Sequence, residues 1–299
     1  AIDIHTHLDP DSFGPHSVQA SRALDVIEMT ERARQAEMRG FVIKQHYDQT
    51  AQLAYLANKA APGIEVFGQL CLNLTVGGLN PAAVHHFSEV KGGRARIVSM
   101  PTWDSENNVR NSRNPDRPFV RTSLNGELLP ETKAVIAAIA TAKVRDSGVP
   151  LALSTGHLTA AEALMVIREA RKQGIERIVV THAIGHPIDM TMAQMKEAAS
   201  HGALIEFVAG FAFDGERRLG THACQRGQRI APQLRVHVAA AGEHPPVTVG
   251  HGPHADAATS ECAPHADRLR VARPRDAIAG GGGQRAPAPG RGVVERVGG

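Results

Sequence analysis

The first two-thirds of the chain alternates between two kinds of hydrophobic pattern. Short apolar runs rich in β-branched residues are followed by longer runs in which apolar positions recur with helical spacing. The short runs predict strands at residues 2–5, 40–44, 64–70, 95–100, 150–154, 177–181 and 203–208. The longer runs predict helices at residues 23–39, 49–60, 81–90, 131–146, 160–173 and 190–200.

Local signals support several of these boundaries. Thr159 is a predicted helix N-cap, and Glu162 follows three residues later as its capping-box partner. Asn80 and Pro81 open another helix, with proline in the first turn. Gly174 follows a predicted helix and precedes a strand, as glycines that end helices do. These positions indicate that strand and helix units follow one another closely.

Alternating strands and helices predict a parallel sheet. The uninterrupted apolar runs at 41–43 and 178–180 fit strands that are buried on both faces. A doubly wound sheet would be expected to carry a glycine-rich phosphate loop after its first strand, but this strand runs into His5 and His7. We therefore predict an α/β fold of the (β/α)8 TIM-barrel type, with seven strands evident in the pattern.

The pattern breaks after Phe213. No aromatic residue follows Phe213 and no lysine follows Lys196, while Arg, Ala, Gly, Pro and His dominate. Only 236–241 and 246–249 still resemble strands. We predict a barrel domain over residues 1–213 and an aberrant region rich in Arg, Gly, Pro and Ala over 214–299, with the eighth strand missing or altered. A disordered basic tail and a segment translated out of frame are both open explanations.

Bulk properties narrow the class of protein. The 299 residues are 42% hydrophobic, which allows a large core, and the net charge of +3 comes without basic patches interleaved with aromatics. No apolar run is long enough to cross a membrane. Three scattered cysteines form no disulfide framework and favour a cytoplasmic location. We expect a small-molecule substrate, with no nucleic-acid or membrane partner, and leave a homo-oligomer open. The chain begins within a predicted strand, so we also expect residues upstream of Ala1.

Side chains able to bind metals follow four predicted strands at their carboxyl ends, where TIM barrels place their active sites. They are His5 and His7 after the first strand, Lys44 and His46 after the second, His157 after the fifth and His182 after the sixth. Residues two apart on a strand point the same way, so His5 and His7 would face one site, as would Lys44 and His46. A single such histidine is more often structural. Four strands that carry one at the same end of a barrel favour a metal site.

We predict that His5, His7, His157 and His182 are metal ligands. Four imidazoles without a thiolate suit Zn²⁺ or another borderline divalent ion, and one or two ions would fit. A catalytic zinc site also requires a carboxylate base near its water. We predict Lys44 and His46 as catalytic residues. For Lys44, a salt bridge at the barrel rim, a substrate contact and a CO₂-carboxylated metal bridge all stay open.

These residues resemble the amidohydrolase superfamily of metal-dependent hydrolases. The resemblance rests on His5-Thr6-His7, His157 and His182, and it covers the chain to about residue 208. A narrower resemblance to one branch rests on the runs at 42–47, 72–81 and 100–102. The resemblance implies a (β/α)8 barrel that holds one or two divalent metals and hydrolyses an amide, ester or lactone with metal-activated water.

The chain departs from the superfamily pattern in two places. Its fourth strand ends at Met100-Pro101-Thr102-Trp103-Asp104, without the bridging lysine or glutamate that many members carry. The catalytic aspartate expected after the eighth strand is also absent. In a shifted reading frame, Gly250-His251-Gly252 can encode Asp-Met-Gly.

Asp104 turned towards the site and Glu206 as a substitute base stay open. For Glu206, a structural role is the preferred interpretation. Without its general base, this exact chain is predicted to have weak activity or none.

Three other functions remain as alternatives. The same barrel could serve a metal-dependent decarboxylase or other lyase, or a phosphoesterase. A non-enzymatic basic protein that binds anions through its arginine-rich region is the third. Metal analysis separates this last class from the enzymes.

Overall fold

The fold is taken from a computed structural model of the chain. It describes residues 1–12 and 22–208, together with the backbone of Val236–Ala239. The chain divides into two compact units, Ala1–Thr248 and Val249–Gly299, and all described residues belong to the first. No helix in the described ranges is long and apolar enough to span a bilayer.

A parallel sheet forms the centre of the first unit. The strands are β1 (Ile2–Thr6), β2 (Gly40–Ile43), β3 (Glu65–Cys71), β4 (Ala95–Ser99), β5 (Ser123–Leu124), β6 (Glu127–Leu128), β7 (Ala152–Ser154), β8 (Ile178–Val180), β9 (Leu204–Val208) and β10 (Val236–Ala239). Eight of them pair in the order β1-β2-β3-β4-β7-β8-β9-β10, while β5 and β6 form a small antiparallel hairpin. The end strands β1 and β10 lie beside one another, so the sheet curves into a nearly closed barrel. The predicted α/β barrel is confirmed.

Helices connect successive strands, as parallel pairing requires. They are α1 (Val26–Gln35), α2 (Ala51–Ala60), α3 (Pro81–Ser88), α4 (Glu106–Arg110), α5 (Pro130–Thr141), α6 (Ala160–Lys172) and α7 (Met192–Ser200), with a 3₁₀ turn at Leu74–Val76. The predicted capping box between Thr159 and Glu162 starts α6, and Asn80 caps α3 ahead of Pro81. The short helix α4 and the β5–β6 hairpin were not predicted.

The eighth position of the sheet falls in the region of changed composition, where we expected the strand to be missing or altered. β10 occupies this position and pairs in parallel with β9 from Val236↔Ile205 to Ala239↔Val208. A short run rich in valine suffices for such pairing, because a ladder depends mainly on the backbone. The domain boundary at residue 213 and the aberrant character of the region that follows lie outside the described residues and stay predictions.

Alternation along the strands divides the core into two layers. On β2, Phe41 and Ile43 pack outwards against helices, whereas Val42 packs inside the barrel with Phe67 and Ile97. These three side chains fill the barrel interior. Because side chains two apart share a face, Lys44 follows Val42 inwards at the end of β2. Apolar packing in the interior thus gives way to polar side chains at the carboxyl ends of the strands.

Candidate metal centre

Five imidazoles meet at the carboxyl ends of the barrel strands. We call His5, His7, His46, His157 and His182 the histidine cluster. Successive ring centroids lie 5.3 Å apart for His5–His7, 4.8 Å for His7–His46, 5.8 Å for His46–His157, 4.9 Å for His157–His182 and 5.6 Å for His182–His5. The contacts therefore close a circuit. All members are buried except His7, which is partly exposed.

A register shift in β1 turns His5 towards the cluster. Ile4 packs against the barrel interior, so simple alternation would point His5 away from it. The register between β1 and β2 shifts between Asp3 and Thr6. Such a shift re-aims the side chains that follow it. Because of this shift, His5 and His7 both reach the cluster. The spacing of the two residues had predicted this outcome, but for an unbroken strand.

Unusual backbone geometry positions two further members. His182 has a φ of 23°, a strained value for a residue with a side chain. Its backbone N–H donates to Glu206 Oε2 at 2.9 Å, which holds this conformation. Gly156, directly before His157, has a φ of 61° and lies so close to the Met100 carbonyl that a Cβ would stand 2.3 Å from that oxygen. Only glycine allows this close approach, which positions His157 within the cluster.

Glu206 and Lys44 flank His5. The Glu206 Oε2 and Lys44 Nζ atoms lie 2.9 Å and 3.2 Å from His5 Nδ1. If Nδ1–H donates to the carboxylate, Nε2 keeps its lone pair for a metal. Burial opposes ionisation of Glu206, but His5 and Lys44 outweigh burial and hold the pKa of Glu206 below its ordinary value. Burial lowers the pKa of the Lys44 ammonium.

Burial lowers the pKa of every histidine in the cluster, which favours the neutral imidazole. The charges of neighbouring imidazoles and Lys44 lower the pKa of His7, His46 and His157 further, whereas Glu206 opposes the lowering at His5 and His182. For His182 the pKa falls to about 3. A neutral imidazole carries the lone pair that binds metal, so these residues need no proton release before they coordinate an ion.

The remaining ring nitrogens have well-defined surroundings. Thr102 Oγ1 lies 2.9 Å from His46 Nδ1, and Asn73 holds Thr102 by a hydrogen bond of 2.7 Å. His157 Nδ1 lies 3.3 Å from Asn108 Oδ1. His157 and His46 therefore use Nδ1 for anchoring and keep Nε2 for the centre of the cluster.

One contact also matches the spacing of two metal ligands. The Nε2 atoms of His157 and His182 lie at hydrogen-bond distance, 3.2 Å apart. Two nitrogens bonded to one zinc at the tetrahedral angle are separated by roughly 3.3 Å, given Zn–N bonds of about 2.0–2.1 Å. The Nδ1 atom of His7 is buried and has no hydrogen-bond partner among the described residues. As the side chains stand, no three His, Cys, Asp or Glu residues in the described ranges surround one point as ligands do. The donor set fits a divalent ion by its chemistry and through the His157–His182 pair.

The structure brings all six residues singled out from the sequence into one region. The four predicted metal ligands belong to the histidine cluster, as does His46, and Lys44 touches His5. Asp104 does not turn towards the site, because its Oδ1 pairs with Arg117 at 2.7 Å and its Oδ2 accepts from the Leu74 N–H at 3.0 Å.

Sequence reasoning missed two aromatic side chains. Trp103 meets His46 and His157 edge-on, with ring centroids 5.3 Å and 5.9 Å apart. Tyr47 follows His46 directly and is buried. A signal was available for Trp103, because the only tryptophan of the chain follows the fourth predicted strand at its carboxyl end.

Comparison with known proteins gives a family and a set of similar folds. Residues 1–206 match the model of a family of unknown function (DUF6282). No curated protein matches the chain.

Three solved structures illustrate the similar folds. One is a mutant organophosphorus hydrolase from Deinococcus radiodurans, with 14% identity and a TM-score of 0.44, which covers 75% of this chain and 69% of that one. Another is an organophosphate hydrolase engineered from a lactonase template, with 16% identity and a TM-score of 0.45 over 75% and 71% of the chains. The E. coli 3-keto-D-glucoside 4-epimerase has 17% identity and a TM-score of 0.42 over 80% and 91%. Similarities this distant carry no argument about activity.

Proposed function

This chain belongs to the family of unknown function DUF6282, and from that premise we propose that it is a metal-dependent hydrolase. Its reaction would be the attack of water on a C–N or C–O bond, as in an amide, an ester or a lactone. The observation that carries the proposal is the 3.2 Å separation of the His157 and His182 Nε2 atoms within a cluster of five imidazoles. Packing alone gives no reason to gather five histidines in one buried place.

His5, His7, His157 and His182 are the residues that would hold the ion, with Zn²⁺ the natural choice for an all-imidazole set. A divalent ion bound there supplies Lewis acidity, which activates water and polarises the bond to be cleaved. The number of ions, one or two, follows from whether Lys44 is carboxylated and takes part in binding.

The chain's own residues supply orientation and charge. Glu206 already accepts hydrogen bonds from two donors, His5 and the His182 backbone, so we assign it the role of fixing the His5 tautomer. The Lys44 amino group, 3.2 Å from His5 Nδ1, would contact a substrate oxygen in this proposal. His46 presents Nε2 to the same space, because Thr102 engages Nδ1.

Metal content of the purified full-length chain tests the proposal. We expect about one or two equivalents of zinc per chain after growth with zinc and removal of loosely bound metal. His182→Ala should retain much less zinc, because it removes one of the two paired nitrogens. His186→Ala is the matched control, since His186 is exposed and pairs with Asp189 outside the cluster.

Zinc content below a tenth of an equivalent, or equal zinc in His182→Ala and the parent, contradicts the proposal. A panel of amides, esters and lactones then identifies the bond cleaved. Phosphoesters and carboxylic acids belong in the same panel, because a phosphoesterase or decarboxylase would use the same metal site.

A further inference from the structure

Two buried donors without partners in the described residues belong to the segments that follow β2 and β4: Tyr47, next to His46 in the chain, and Trp103, next to Thr102. The Trp103 indole contacts His46 and His157 edge-on, and its Nε1 atom is buried without a hydrogen-bond partner among the described residues. An indole N–H can only donate, so its partner must be an acceptor. A buried donor without an acceptor destabilises a fold and requires an explanation.

Tyr47 presents the second such donor. Its side chain is 4% exposed, and its hydroxyl is buried without a hydrogen-bond partner in the described part of the chain. Burial raises the pKa of Tyr47 to about 12, so the phenol keeps its proton and can donate. The charges of Asp104 and Arg117 also act on this phenol.

The buried ion pair between Asp104 and Arg117 holds Trp103 in place. Arg117 donates to Asp104 Oδ1 at 2.7 Å and also donates to the Trp103 carbonyl. Asp104 in turn accepts from the Leu74 N–H at 3.0 Å. We call Trp103 and Tyr47 the recognition wall. The Arg117 hydrogen bond fixes the backbone of Trp103, and the charges of the same ion pair act on the Tyr47 phenol, so the wall offers two preorganised donors.

The net charge around the proposed metal centre determines which kind of hydrogen-bond acceptor is favoured there. Lys44 and Glu206 carry opposite charges that act on one another, and Asp11 forms a salt bridge with Arg22. A divalent ion would add two positive charges, of which the Asp3 carboxylate near the His5 backbone offsets one. The loaded site is therefore positive, which favours an anionic ligand.

We propose that the recognition wall binds an anionic oxygen group of the substrate, a carboxylate or a phosphoryl group, next to the metal centre. This inference rests on the proposed function and adds the substrate class to it: the molecule hydrolysed carries a negative charge close to the bond that is cleaved. Trp103 and Tyr47 are substrate-binding residues in this scheme, and neither takes part in bond cleavage.

The only tryptophan of the chain provides the measurement. Zinc-loaded protein is titrated with acetate, with phosphate and with acetamide, the neutral counterpart of acetate, while Trp103 emission is followed. We expect one or both anions to change the emission at concentrations where acetamide does not. The comparison of acetate with phosphate identifies the anionic group.

Variants link the binding to the wall. Tyr47→Phe should weaken anion binding about tenfold, because one hydrogen bond to a charged group is lost. Tyr55→Phe is the matched control, since Tyr55 is the only other tyrosine and lines an outer groove with Leu56. Trp103→Phe removes the fluorophore, so calorimetry measures its anion affinity, which should also fall. Circular dichroism confirms that each variant is folded. If one of the two wall variants unfolds, the anion affinity of the other variant decides the test.

Each result distinguishes a failure of the recognition wall from a failure of the hydrolase proposal. Equal affinity for acetamide and the anions, or undiminished anion binding in the folded wall variants, overturns the recognition wall and leaves the hydrolase proposal standing. Absence of bound zinc overturns both.

Discussion

At the scale of single residues, one carboxylate organises the candidate site. Glu206 Oε2 accepts from the His182 backbone N–H and lies 2.9 Å from His5 Nδ1. The first contact holds a strained backbone, and the second selects which ring nitrogen of His5 is available to a metal. Glu206 thus links two predicted ligands from distant parts of the chain.

Glu206→Gln should weaken zinc binding by about 10–100-fold, the usual effect of removing an outer-sphere partner of a metal ligand. The glutamine keeps the size of the side chain, so the fold should persist. Competition with a chromogenic chelator measures the affinity. Glu65→Gln is the control, because Glu65 begins β3 and its side chain pairs with Arg39. Equal zinc affinity in the Glu206 variant and the parent would show that His5 needs no orienting carboxylate.

At the scale of elements, the segment after β4 is held by a buried ion pair. Arg117 and Asp104 side chains are each 4% exposed and lie 2.7 Å apart. A buried pair adds little net stability compared with apolar residues, but the loss of one partner leaves an uncompensated buried charge. The pair therefore fixes where Trp103 stands relative to the histidine cluster.

Arg117→Leu should lower the free energy of unfolding by about 3–5 kcal/mol, because Asp104 would remain buried without its partner. The double variant Asp104→Asn/Arg117→Leu should recover part of this loss. Urea unfolding followed by circular dichroism gives the values. Arg121→Leu serves as the comparison, since Arg121 pairs with Glu106 at the surface and its loss should matter little. Similar losses in both single variants would refute a special role for the buried pair.

At the scale of the whole molecule, the barrel has an eighth strand but no recognisable catalytic aspartate after it. Val236–Ala239 pairs with β9 and adds an eighth strand to the nearly closed barrel. The resemblance to amidohydrolases implies an aspartate after the eighth strand. The sequence pointed to the run at 246–249, which leads into Gly250-His251-Gly252, whereas β10 ends at Ala239 and is followed by Ala240. The proposed metal ligands thus lie in a part of the chain whose composition differs from that of the region where the general base is expected.

The gene itself tests the frame-shift hypothesis. DNA sequencing across codons 205–299 should reveal a change of reading frame, and restoration of the frame should turn a chain with weak or no hydrolysis into an active one. The physical reason is that a carboxylate base would then stand near the substrate water. An unbroken frame that matches homologous DNA, or full turnover by the chain as written, would rule the hypothesis out.

The sequence by itself determined the barrel and the set of histidines. The hydrophobic periods of strands and helices differ, so the alternating repeat could be identified from the sequence. A parallel barrel brings the carboxyl ends of its strands together in one place. From this rule alone, His5, Lys44, His157 and His182 could be assigned to one site. The rule could not predict which polar atoms would be satisfied, because hydrogen bonding depends on residues far apart in the chain.

Only the tertiary structure decided the surroundings of those histidines. It paired Asp104 with Arg117, moved Glu206 against His5, and left the Trp103 and Tyr47 donors without partners in the described residues. The physical reason is the separation along the chain over which each effect acts. Hydrophobic periodicity is local and repeats within one element, whereas the pairing of buried charges and donors is settled only when elements from different parts of the chain meet.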